Sequence, residues 1–257
     1  MASIYDRAEI YDLLEDESRS LIYQKHWESV LKDCKIETLL DVSIGSGNVT
    51  LPAAALGIRL SGSDLSEMML EKCKTKAVSK NIAIDLKCCD FRTVSRQFLQ
   101  KFDCVASTGN SLPYVSNEDV LDTLVQMDSL VNPGGYLYFD IRNWDKILRD
   151  RQRFYLYNPF FKDDTRINLI QVWDYENDGT MTFHLLYTFE KENRIFHKEK
   201  FEEHYIPVKQ EMLLRKVKEM GYSEIRLLPF PSCGQSVEIE EADWYCVIAK
   251  KGAKAGI

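Results

Sequence analysis

The stretch "LLDVSIGSG", residues 39–47, passes from an apolar run through Asp41 into a turn made of small residues. The apolar run predicts a buried strand, and Gly45 and Gly47 predict a turn where a ligand lies directly against the main chain. An acidic Asp41 before the turn disfavours a pyrophosphate but suits a ligand with an ammonium group. Ser43 is small enough to avoid crowding such a ligand. We therefore predict a ligand-binding loop formed by Asp41, Ser43, Gly45 and Gly47.

Ligand-type residues also follow three later apolar stretches. Asp64 comes about twenty residues after the loop, where a carboxylate can accept both hydroxyls of a ribose; its alternative role is to cap the next helix. Asp90 can accept the exocyclic amine of adenine while the ring of Phe91 packs nearby. "STGNS" ends the fourth stretch. The predicted adenosine site comprises Asp64, Leu65, Asp90, Phe91, Ser107 and Thr108.

The identity of the ligand follows from what the loop lacks. The dinucleotide fingerprint needs a third glycine, and Thr50 occupies that position. No Walker lysine follows Gly47, which disfavours a triphosphate. S-adenosylmethionine carries an ammonium, a sulfonium, a ribose and an adenine. We predict S-adenosylmethionine as the cofactor, with its methionyl part on the backbone of residues 43–47.

An alternation of strands and helices must position these residues. Strands are predicted for "ETLLDVSI", "RLSGSDL", "IDLKCCD", "FDCVAST", "YLYFDIRN", "SEIRLLPF" and "ADWYCVIAKK". Amphipathic helices lie between them, including "SEMMLEKCKTKAVSK" with Ser66 as its N-cap. This pattern predicts a doubly wound, Rossmann-like α/β fold, with a seven-stranded, mostly parallel sheet and helices on both faces.

We assign the core of this fold to residues 36–148 and 207–252. The sequence also predicts segments outside this core. Residues 1–35 are predicted to be a helical segment that covers the cofactor site. Residues 149–206 alternate aromatic, β-branched and polar side chains around the turn "ENDG", which predicts three antiparallel strands over the acceptor site. Residues 253–257 are predicted to be a disordered tail.

Composition narrows the class of partner. The 257 residues carry a net charge of −7, which argues against a large phosphate-backbone footprint and makes nucleic acid an unlikely partner. The seven cysteines form neither CxxC pairs nor metal-ligand clusters, so we expect reduced thiols and no metal. There is no signal-peptide layout and no membrane-length apolar run. We expect a cytoplasmic protein with a small-molecule acceptor and no membrane; the oligomeric state is left open.

The motifs together resemble those of the class I S-adenosylmethionine-dependent methyltransferases. The resemblance rests on "LLDVSIGSG", "SGSDLSEMML", "CCDFRTV", "FDCVASTGNS" and "LVNPGGYLYFDIRN", which extend over residues 37–143. One departure is Ser43, where the commonest family pattern has its first glycine. The resemblance implies methyl transfer from S-adenosylmethionine.

A closer resemblance is to the glycine/sarcosine N-methyltransferase group. It rests on "GNS" and "DIRNWD" after the fourth and fifth strands, and on "ESRSLIYQKHW" and "EEHYIPV". The chain departs from the group at Tyr114, where a histidine is usual; we expect Tyr114, with Pro113, in the wall of the acceptor pocket. The resemblance implies that Arg142 holds the carboxylate of a small amino-acid acceptor; the alternative is an ion pair with Asp140 or Asp145.

Three further assignments come with this resemblance. Asn110 accepts a hydrogen bond from the acceptor amine, or caps the next turn. Arg19 and Tyr23, at i,i+4 spacing on one helix face, reach over the methionyl carboxylate, or form an exposed pair. The predicted catalytic residues are therefore Asn110, Tyr114 and Arg142, with Arg19 and Tyr23 added to the cofactor site.

The predicted reaction is methylation of the amine of glycine, sarcosine or a similar small amino acid. The sulfonium methyl is already activated, so the protein aligns the reactants and excludes water without a nucleophilic side chain. Alternatives are another acceptor (a sugar amine, a metabolite oxygen or RNA) and a non-catalytic S-adenosylmethionine-binding module. A nicotinamide dehydrogenase is disfavoured by Thr50.

Overall fold

The computed structural model of the protein describes residues 3–233 and 237–253. Of the predicted tail, residues 254–257 lie outside the described residues. In chain order, the strands are β1 (Thr38–Asp41), β2 (Arg59–Asp64), β3 (Ile84–Cys88), β4 (Phe102–Ser107), β5 (Val131–Arg142), β6 (Phe154–Leu156), β7 (Phe160–Lys162), β8 (Thr165–Tyr175), β9 (Met181–Lys191), β10 (Arg194–Tyr205), β11 (Tyr222–Pro229) and β12 (Trp244–Lys251). The α-helices are α1 (Ala8–Tyr11), α2 (Glu17–Leu31), α3 (Glu67–Ser79), α4 (Asn117–Leu130), α5 (Trp144–Asp150) and α6 (Gln210–Glu219).

The core of the chain is one seven-stranded sheet with the order β11-β12-β5-β4-β1-β2-β3. The pairs that link β3, β2, β1, β4 and β5 are all parallel, and β12 runs antiparallel to both of its neighbours. The predicted seven-stranded, mostly parallel sheet is therefore confirmed. Strand order reverses between β1 and β4, and ligands of doubly wound sheets bind outside the strand ends at such a reversal.

Helices cover both faces of this sheet, as predicted. Successive residues of a strand point to opposite faces, and Leu39 packs in one buried cluster with Trp27 and Leu70 while Leu40 packs in another with Leu124. The helices α2 and α3 supply the first cluster, whereas α4 and α6 supply the second. Burial of each such side chain contributes about 1.5–3 kcal/mol to folding.

Local signals in the sequence fix where the elements next to the site begin and end. The Ser66 hydroxyl accepts the amide of Met69, so Ser66 is the N-cap of α3, as predicted. A 3-10 helix, Leu51–Leu56, ends at Gly57, whose φ of 79° lies in the left-handed region that favours glycine. The loop after β1 and the start of α3 lie at the same edge of the sheet, because each follows the carboxyl end of one of two parallel strands.

The N-terminal segment has two parts. Residues 3–16 contain short helical turns, including α1, and lie along the edge of the sheet that carries the ligand-type residues. The longer helix α2 packs on a face of the sheet, where the indole of the buried Trp27 donates a 2.7 Å hydrogen bond to the Val49 carbonyl. No helix in the described part of the chain is both long and apolar enough to cross a membrane.

Residues 149–206 form a second, antiparallel sheet, in which β10, β9, β8 and β6 lie side by side and β7 also pairs with β8. The prediction of three strands was wrong in number, because β6 and β7 have only three residues each. Strands that short show no alternation to recognise. This sheet is joined to the core at the loop after β4, where the amide of Ile206 donates to the Pro113 carbonyl over 2.8 Å.

Candidate active site

The loop after β1 presents main chain to a cavity at the reversal point of the sheet. Gly47 has a φ of 82°, and a Cβ added there would lie 2.7 Å from Leu51 Cδ1 and 2.8 Å from Cys73 Sγ. Any side chain at residue 47 would therefore displace the helix packing behind the loop. Gly45, with a φ of 54°, also adopts a left-handed conformation. The loop is consequently tightly folded, and its residues 43–46 line the small cavity, whereas Gly47 lies behind them.

Asp41 lies behind this loop. Its side chain is fully buried, and its carboxylate accepts the amide of Ser43, the hydroxyl of Thr108 at 2.6 Å and the hydroxyl of Thr50. Burial raises the pKa of the Asp41 carboxyl to about 6, although these hydrogen bonds oppose the change. The structure therefore gives Asp41 a role in holding the loop, and the predicted contact with a cofactor ammonium stays a prediction.

Ser43 shows why the first family glycine can be replaced. Its hydroxyl lies 3.0 Å from the hydroxyl of Ser107, accepts the amide of Thr108 at 3.0 Å and faces the Thr108 carbonyl at 3.1 Å. These hydrogen bonds join the ends of β1 and β4 directly beneath the cavity. The serine therefore links the two strand ends through its hydroxyl, which a glycine could not do. The predicted residues Ser43, Ser107 and Thr108 lie together in the structure.

Asp64 ends β2 beside the loop, as predicted. One carboxylate oxygen accepts the amide of Gly45 at 2.9 Å and the other accepts the amide of Ser66 at 2.9 Å. Burial raises the pKa of the Asp64 carboxyl, with these amides opposing the change. Asp64 therefore caps the next turn, as its predicted alternative role requires, and it also lines the cavity. A carboxylate oxygen can accept more than one hydrogen bond, and the ribose contact stays a prediction.

The predicted adenine side of the site is formed by Leu65, Asp90 and Phe91. Leu65 is 72% exposed and lines the cavity with the half-buried Phe91. Asp90 also lines it, but its carboxylate is held by the Arg92 side chain, with an Nη2–Oδ2 distance of 2.6 Å, and by the Arg92 amide. The Arg92 hydrogen bond lowers the pKa of Asp90. An adenine amine would therefore share Asp90 with Arg92.

Two adjoining cavities lie along this edge of the sheet. The large one, about 950 Å³, extends from Phe91 past Ser43 to Glu203 on β10. The small one lies between the loop and the rings of Tyr5 and Tyr11 and has a volume of about 30 Å³, which holds about one or two water molecules. Four residues line both cavities: Tyr5, Ser43, Asp64 and Ser111.

The N-terminal segment closes over the loop through Asp12, a residue that the sequence analysis did not select. The Asp12 carboxylate accepts the Ser46 hydroxyl at 2.7 Å and the Asn48 amide at 2.9 Å, and it pairs with Lys76 of α3 at 2.8 Å. Spacing gives no signal for this contact, because Asp12 lies far from Ser46 in sequence. The predicted covering of the site by residues 1–35 stays a prediction, with residues 3–16 as its structural basis.

Arg142 is the last residue of β5, in a largely buried position, 7% exposed, and it lines a third cavity that is separate from the two beside the loop. Its guanidinium carbon lies 4.7 Å from the ring centre of Trp244, 5.4 Å from Phe183 and 5.6 Å from Trp173. Among the described residues, no carboxylate lies within ion-pair distance of Arg142, so the alternative pairing with Asp140 or Asp145 does not occur. Cation–π contacts stabilise the charge but leave its N–H groups without acceptors.

Asn110 lies next to Arg142 at the end of β4. Its side-chain oxygen accepts the backbone amide of Arg142 at 3.0 Å, whereas its buried Nδ2 has no hydrogen-bond partner among the described residues. The free group of Asn110 is therefore a donor, which suits a carboxylate better than an ammonium. This geometry does not support the predicted acceptance of a hydrogen bond from an amine.

Tyr114 lies in the wall of the large cavity, as expected, within a group of buried tyrosines. Its hydroxyl is 2.7 Å from the hydroxyl of Tyr205 and 3.1 Å from that of Tyr5, and it donates to Glu203 at 3.0 Å. Sequence reasoning missed Glu203, although a signal exists: Phe201, Glu203 and Tyr205 alternate along β10 and so share one inward face.

Arg19 and Tyr23 share one face of α2, with 3.4 Å between the guanidinium and the hydroxyl. Arg19 also lies 3.6 Å from Glu15, and Tyr23 stacks on Phe230 at 6.1 Å. Neither residue lines the two cavities beside the loop. The structure therefore brings the predicted loop, ribose and adenine residues together but leaves this pair apart from them.

Comparison with known proteins identifies the fold and a methyltransferase domain within the chain. A methyltransferase-domain family model matches residues 39–135. The glycine/sarcosine N-methyltransferase of Aphanothece halophytica is 25% identical over 93% of this chain and 86% of its own length. An S-adenosylmethionine-dependent methyltransferase from Clostridium acetobutylicum has a similar structure, with a TM-score of 0.75 and 18% identity over 96% of this chain and 98% of that chain. An amino pentose methyltransferase from Micromonospora echinaspora, solved with S-adenosylmethionine bound, gives a TM-score of 0.70 at 12% identity over 98% of this chain and 98% of that chain.

The site fits S-adenosylmethionine on its own residues. Gly45 brings main chain to the small cavity, where Tyr5 and Tyr11 must shift to admit a methionyl group. Asp64 offers acceptors for ribose hydroxyls, and Leu65 with Phe91 offers apolar surface to an adenine. When bound, the cofactor supplies an activated methyl group. The methyltransferase-domain match, the curated relatives and the shared fold together support a class I S-adenosylmethionine-dependent methyltransferase.

Proposed function

We propose that this methyltransferase acts on the amine of a small zwitterionic acceptor, such as glycine, sarcosine or a similar amino acid. The observation that carries the proposal is the buried Arg142, whose guanidinium has no carboxylate partner among the described residues and whose backbone amide donates to Asn110, a residue with an unpaired Nδ2. These two residues at neighbouring strand ends thus offer donors that lack acceptors. A ligand carboxylate would satisfy both.

The energetics of burial favour this role for Arg142. A buried charge is costly unless it is paired, and removing its counterion from a buried pair typically costs about 3–5 kcal/mol. The rings of Trp173, Phe183 and Trp244 offset part of that cost but accept no directed hydrogen bond from the guanidinium edge. A planar fork of donors matches a carboxylate in a bidentate way. The aromatic walls would also exclude water from that pair.

The relatives support the same acceptor class. The glycine/sarcosine N-methyltransferase of Aphanothece halophytica aligns over most of both chains, and the chain retains that group's "GNS" and "DIRNWD" motifs around Asn110 and Arg142. The departure at Tyr114 alters the pocket wall, so the acceptor panel should extend beyond glycine to sarcosine, other small amino acids and amino sugars.

The residues of this chain contribute alignment to the reaction. Arg142 and Asn110 would fix the carboxylate of the acceptor, which orients its nitrogen. The loop and Asp64 would hold the cofactor at the other side of the same sheet edge. Fixing two reactants in this way replaces a bimolecular encounter by an intramolecular one, which can supply several kcal/mol of the barrier. No side-chain nucleophile is required.

Arg142→Lys tests the carboxylate clamp. Lysine keeps the charge but loses the planar fork, so we expect kcat/KM for a zwitterionic acceptor to fall by about tenfold or more, equivalent to about 1.4 kcal/mol. Cofactor affinity, measured by calorimetry, should stay near wild type. Arg149→Lys is the matched control, because Arg149 lies nearby on α5 but pairs with Asp150 at the surface.

Three outcomes would contradict the proposal. If uncharged amines are methylated as fast as zwitterions and Arg142→Lys leaves kcat/KM unchanged, the acceptor is not recognised through a carboxylate. A large loss of cofactor affinity in Arg142→Lys would assign the guanidinium to the methionyl carboxylate. An amino sugar preferred over every amino acid would move the acceptor class toward that of the Micromonospora echinaspora structure.

A further inference from the structure

Glu203 is a buried carboxylate in the wall of the large cavity, at 4% exposure. It comes from β10, in the inserted sheet, and points inward between Phe201 and Tyr205. Its side-chain partners are uncharged: one oxygen accepts the Ser3 hydroxyl at 2.9 Å and the Ile4 amide at 2.8 Å, and the other accepts the Tyr114 hydroxyl at 3.0 Å. Every group around this carboxylate donates a hydrogen bond to it, so its orientation toward Tyr114 is fixed.

The location of Glu203 relates it to the point of methyl transfer. The sulfonium joins the adenosyl and methionyl halves of the cofactor, so its methyl group belongs near the junction of the two cavities. Tyr5 lines both cavities at that junction, and its hydroxyl is 3.1 Å from the Tyr114 hydroxyl. Glu203 therefore lies one hydroxyl group away from residues at the junction.

We propose that Glu203, acting through Tyr114, receives the proton that the acceptor nitrogen loses before methyl transfer. The inference rests on the proposed amine acceptor, which is an ammonium ion at neutral pH. The ammonium gives a proton to the Tyr114 oxygen while the Tyr114 hydroxyl proton passes to Glu203. The freed lone pair on nitrogen then bonds to the methyl carbon as the carbon–sulfur electron pair stays on sulfur, leaving a neutral thioether.

Tyr114 has to pass the proton on, because it cannot hold a negative charge at this position. Burial raises the pKa of the Tyr114 hydroxyl well above its ordinary value, and the neighbouring Tyr205, Tyr5 and Glu203 raise it further. The titratable groups that face this cluster are Tyr5 and Tyr11 from the N-terminal segment, Tyr205 from β10 and Arg142 from β5, with Asp6, Glu202 and His204 in the same cavity wall. Glu203 is thus a positioning residue for Tyr114 and the terminal proton acceptor.

The test is the pH dependence of kcat for an amine that the wild-type enzyme methylates. Positioned proton transfer contributes about 10²–10⁴-fold to a rate, so Glu203→Gln should lower kcat about 100-fold near pH 7. The deficit should shrink as pH approaches the pKa of the acceptor amine, because the nitrogen then arrives without its extra proton. Tyr114→Phe should show the same pH-dependent deficit.

Two further variants separate proton transfer from a structural role. Ser3→Ala removes a hydrogen bond to Glu203 but keeps the carboxylate, so its pH profile should keep the wild-type shape. Glu203→Asp keeps a proton acceptor and should restore part of the rate at neutral pH. A deficit in Glu203→Gln that is equal at every pH would overturn the inference and leave Glu203 as a tether for the N-terminal segment.

The same experiment distinguishes this inference from the proposed function. If an amine is methylated and the pH profiles of wild type and Glu203→Gln are parallel, the proposed amine acceptor is retained and the proton transfer to Glu203 is refuted. A panel in which no amine is methylated overturns both.

Discussion

The two oxygens of Asp64 already accept the amides of Gly45 and Ser66, so the carboxylate is held in one orientation before any ligand arrives. A ribose would add hydroxyl donors to an acceptor that needs no rearrangement. Preorganisation of this kind raises affinity by reducing the cost of ordering the site. The structural hydrogen bonds of Asp64 are therefore compatible with the predicted cofactor contact.

Asp64→Ala should weaken S-adenosylmethionine binding by about 2–3 kcal/mol, because charge-assisted hydrogen bonds are lost and the loop amide of Gly45 loses its acceptor. Isothermal titration calorimetry on the folded variant measures this directly. Asp85→Ala, which removes an exposed carboxylate from the neighbouring strand β3, is the control and should leave affinity near wild type. An unchanged affinity in Asp64→Ala would remove the ribose assignment.

The sequence predicted those site residues that lie at or just after the end of a strand. Ser43, Asp64 and Phe91 lie where parallel strand ends must converge, so chain position was enough to bring them together. Asp12 and Glu203 were not predicted, because their partners lie far away in sequence. Asp12 contacts Ser46 from the N-terminal segment, and Glu203 contacts Tyr114 from the inserted sheet. Such contacts depend on how separate segments pack, which periodicity does not encode.

The N-terminal segment, residues 3–16, is the element whose movement the site requires. The small cavity beneath Tyr5 and Tyr11 holds about one or two water molecules, which is too little for a methionyl group. Those rings must therefore shift when the cofactor enters. Asp12 fastens one end of the segment to Ser46 and Lys76, and Glu203 fastens the other end at Ser3.

Asp12→Asn should loosen this segment, because it removes the ion pair with Lys76 and weakens the hydrogen bonds to the loop. We expect amide hydrogen exchange at Ile10 and Tyr11 to become about tenfold faster, corresponding to about 1.4 kcal/mol of local stability. Cofactor dissociation, measured by stopped flow, should also accelerate. Glu17→Gln, which removes one negative charge from the exposed start of α2, is the matched control; equal exchange rates in both variants would contradict a fastening role for Asp12.

The order of elements in the core was predictable because each strand and helix has its own periodic signal. The inserted sheet was only partly predictable: β8, β9 and β10 alternate over eleven or twelve residues, whereas β6 and β7 are stabilised mainly by pairing with β8. Likewise, α2 resembles an exposed helix in sequence, yet tertiary contacts bury Trp27 against the sheet.

Across the whole molecule, a chain of buried polar groups connects α2 to the centre of the sheet. The His26 ring accepts the amide of Ser232 at Nδ1, so Nε2 carries the proton and donates to the Tyr138 hydroxyl at 2.8 Å. The Tyr138 hydroxyl in turn faces Asp140 at 3.4 Å, and the Gly109 amide donates to the other Asp140 oxygen at 2.8 Å. Burial lowers the pKa of His26 to about 3, so the ring stays neutral at physiological pH.

Asp140 should make the stability of the folded protein depend on pH. Burial, with a smaller contribution from Asp41, raises the pKa of the Asp140 carboxyl to about 8, whereas in the unfolded chain it ionises near 3.9. The folded state therefore binds the extra proton between these values, and the stability contributed by Asp140 is complete below about pH 4 and is lost as pH rises toward 8. The asparagine side chain of Asp140→Asn does not titrate, so the variant lacks this pH dependence. The difference in free energy of unfolding, wild type minus variant, should therefore fall as pH rises from 5 to 8, by at most about 1.4 kcal/mol per pH unit. Urea unfolding of both proteins without cofactor, with equal m-values as a check on the two-state analysis, measures this difference. A constant difference across that range would mean that Asp140 is ionised in the folded protein, and that the hydrogen bond from Gly109 outweighs its burial.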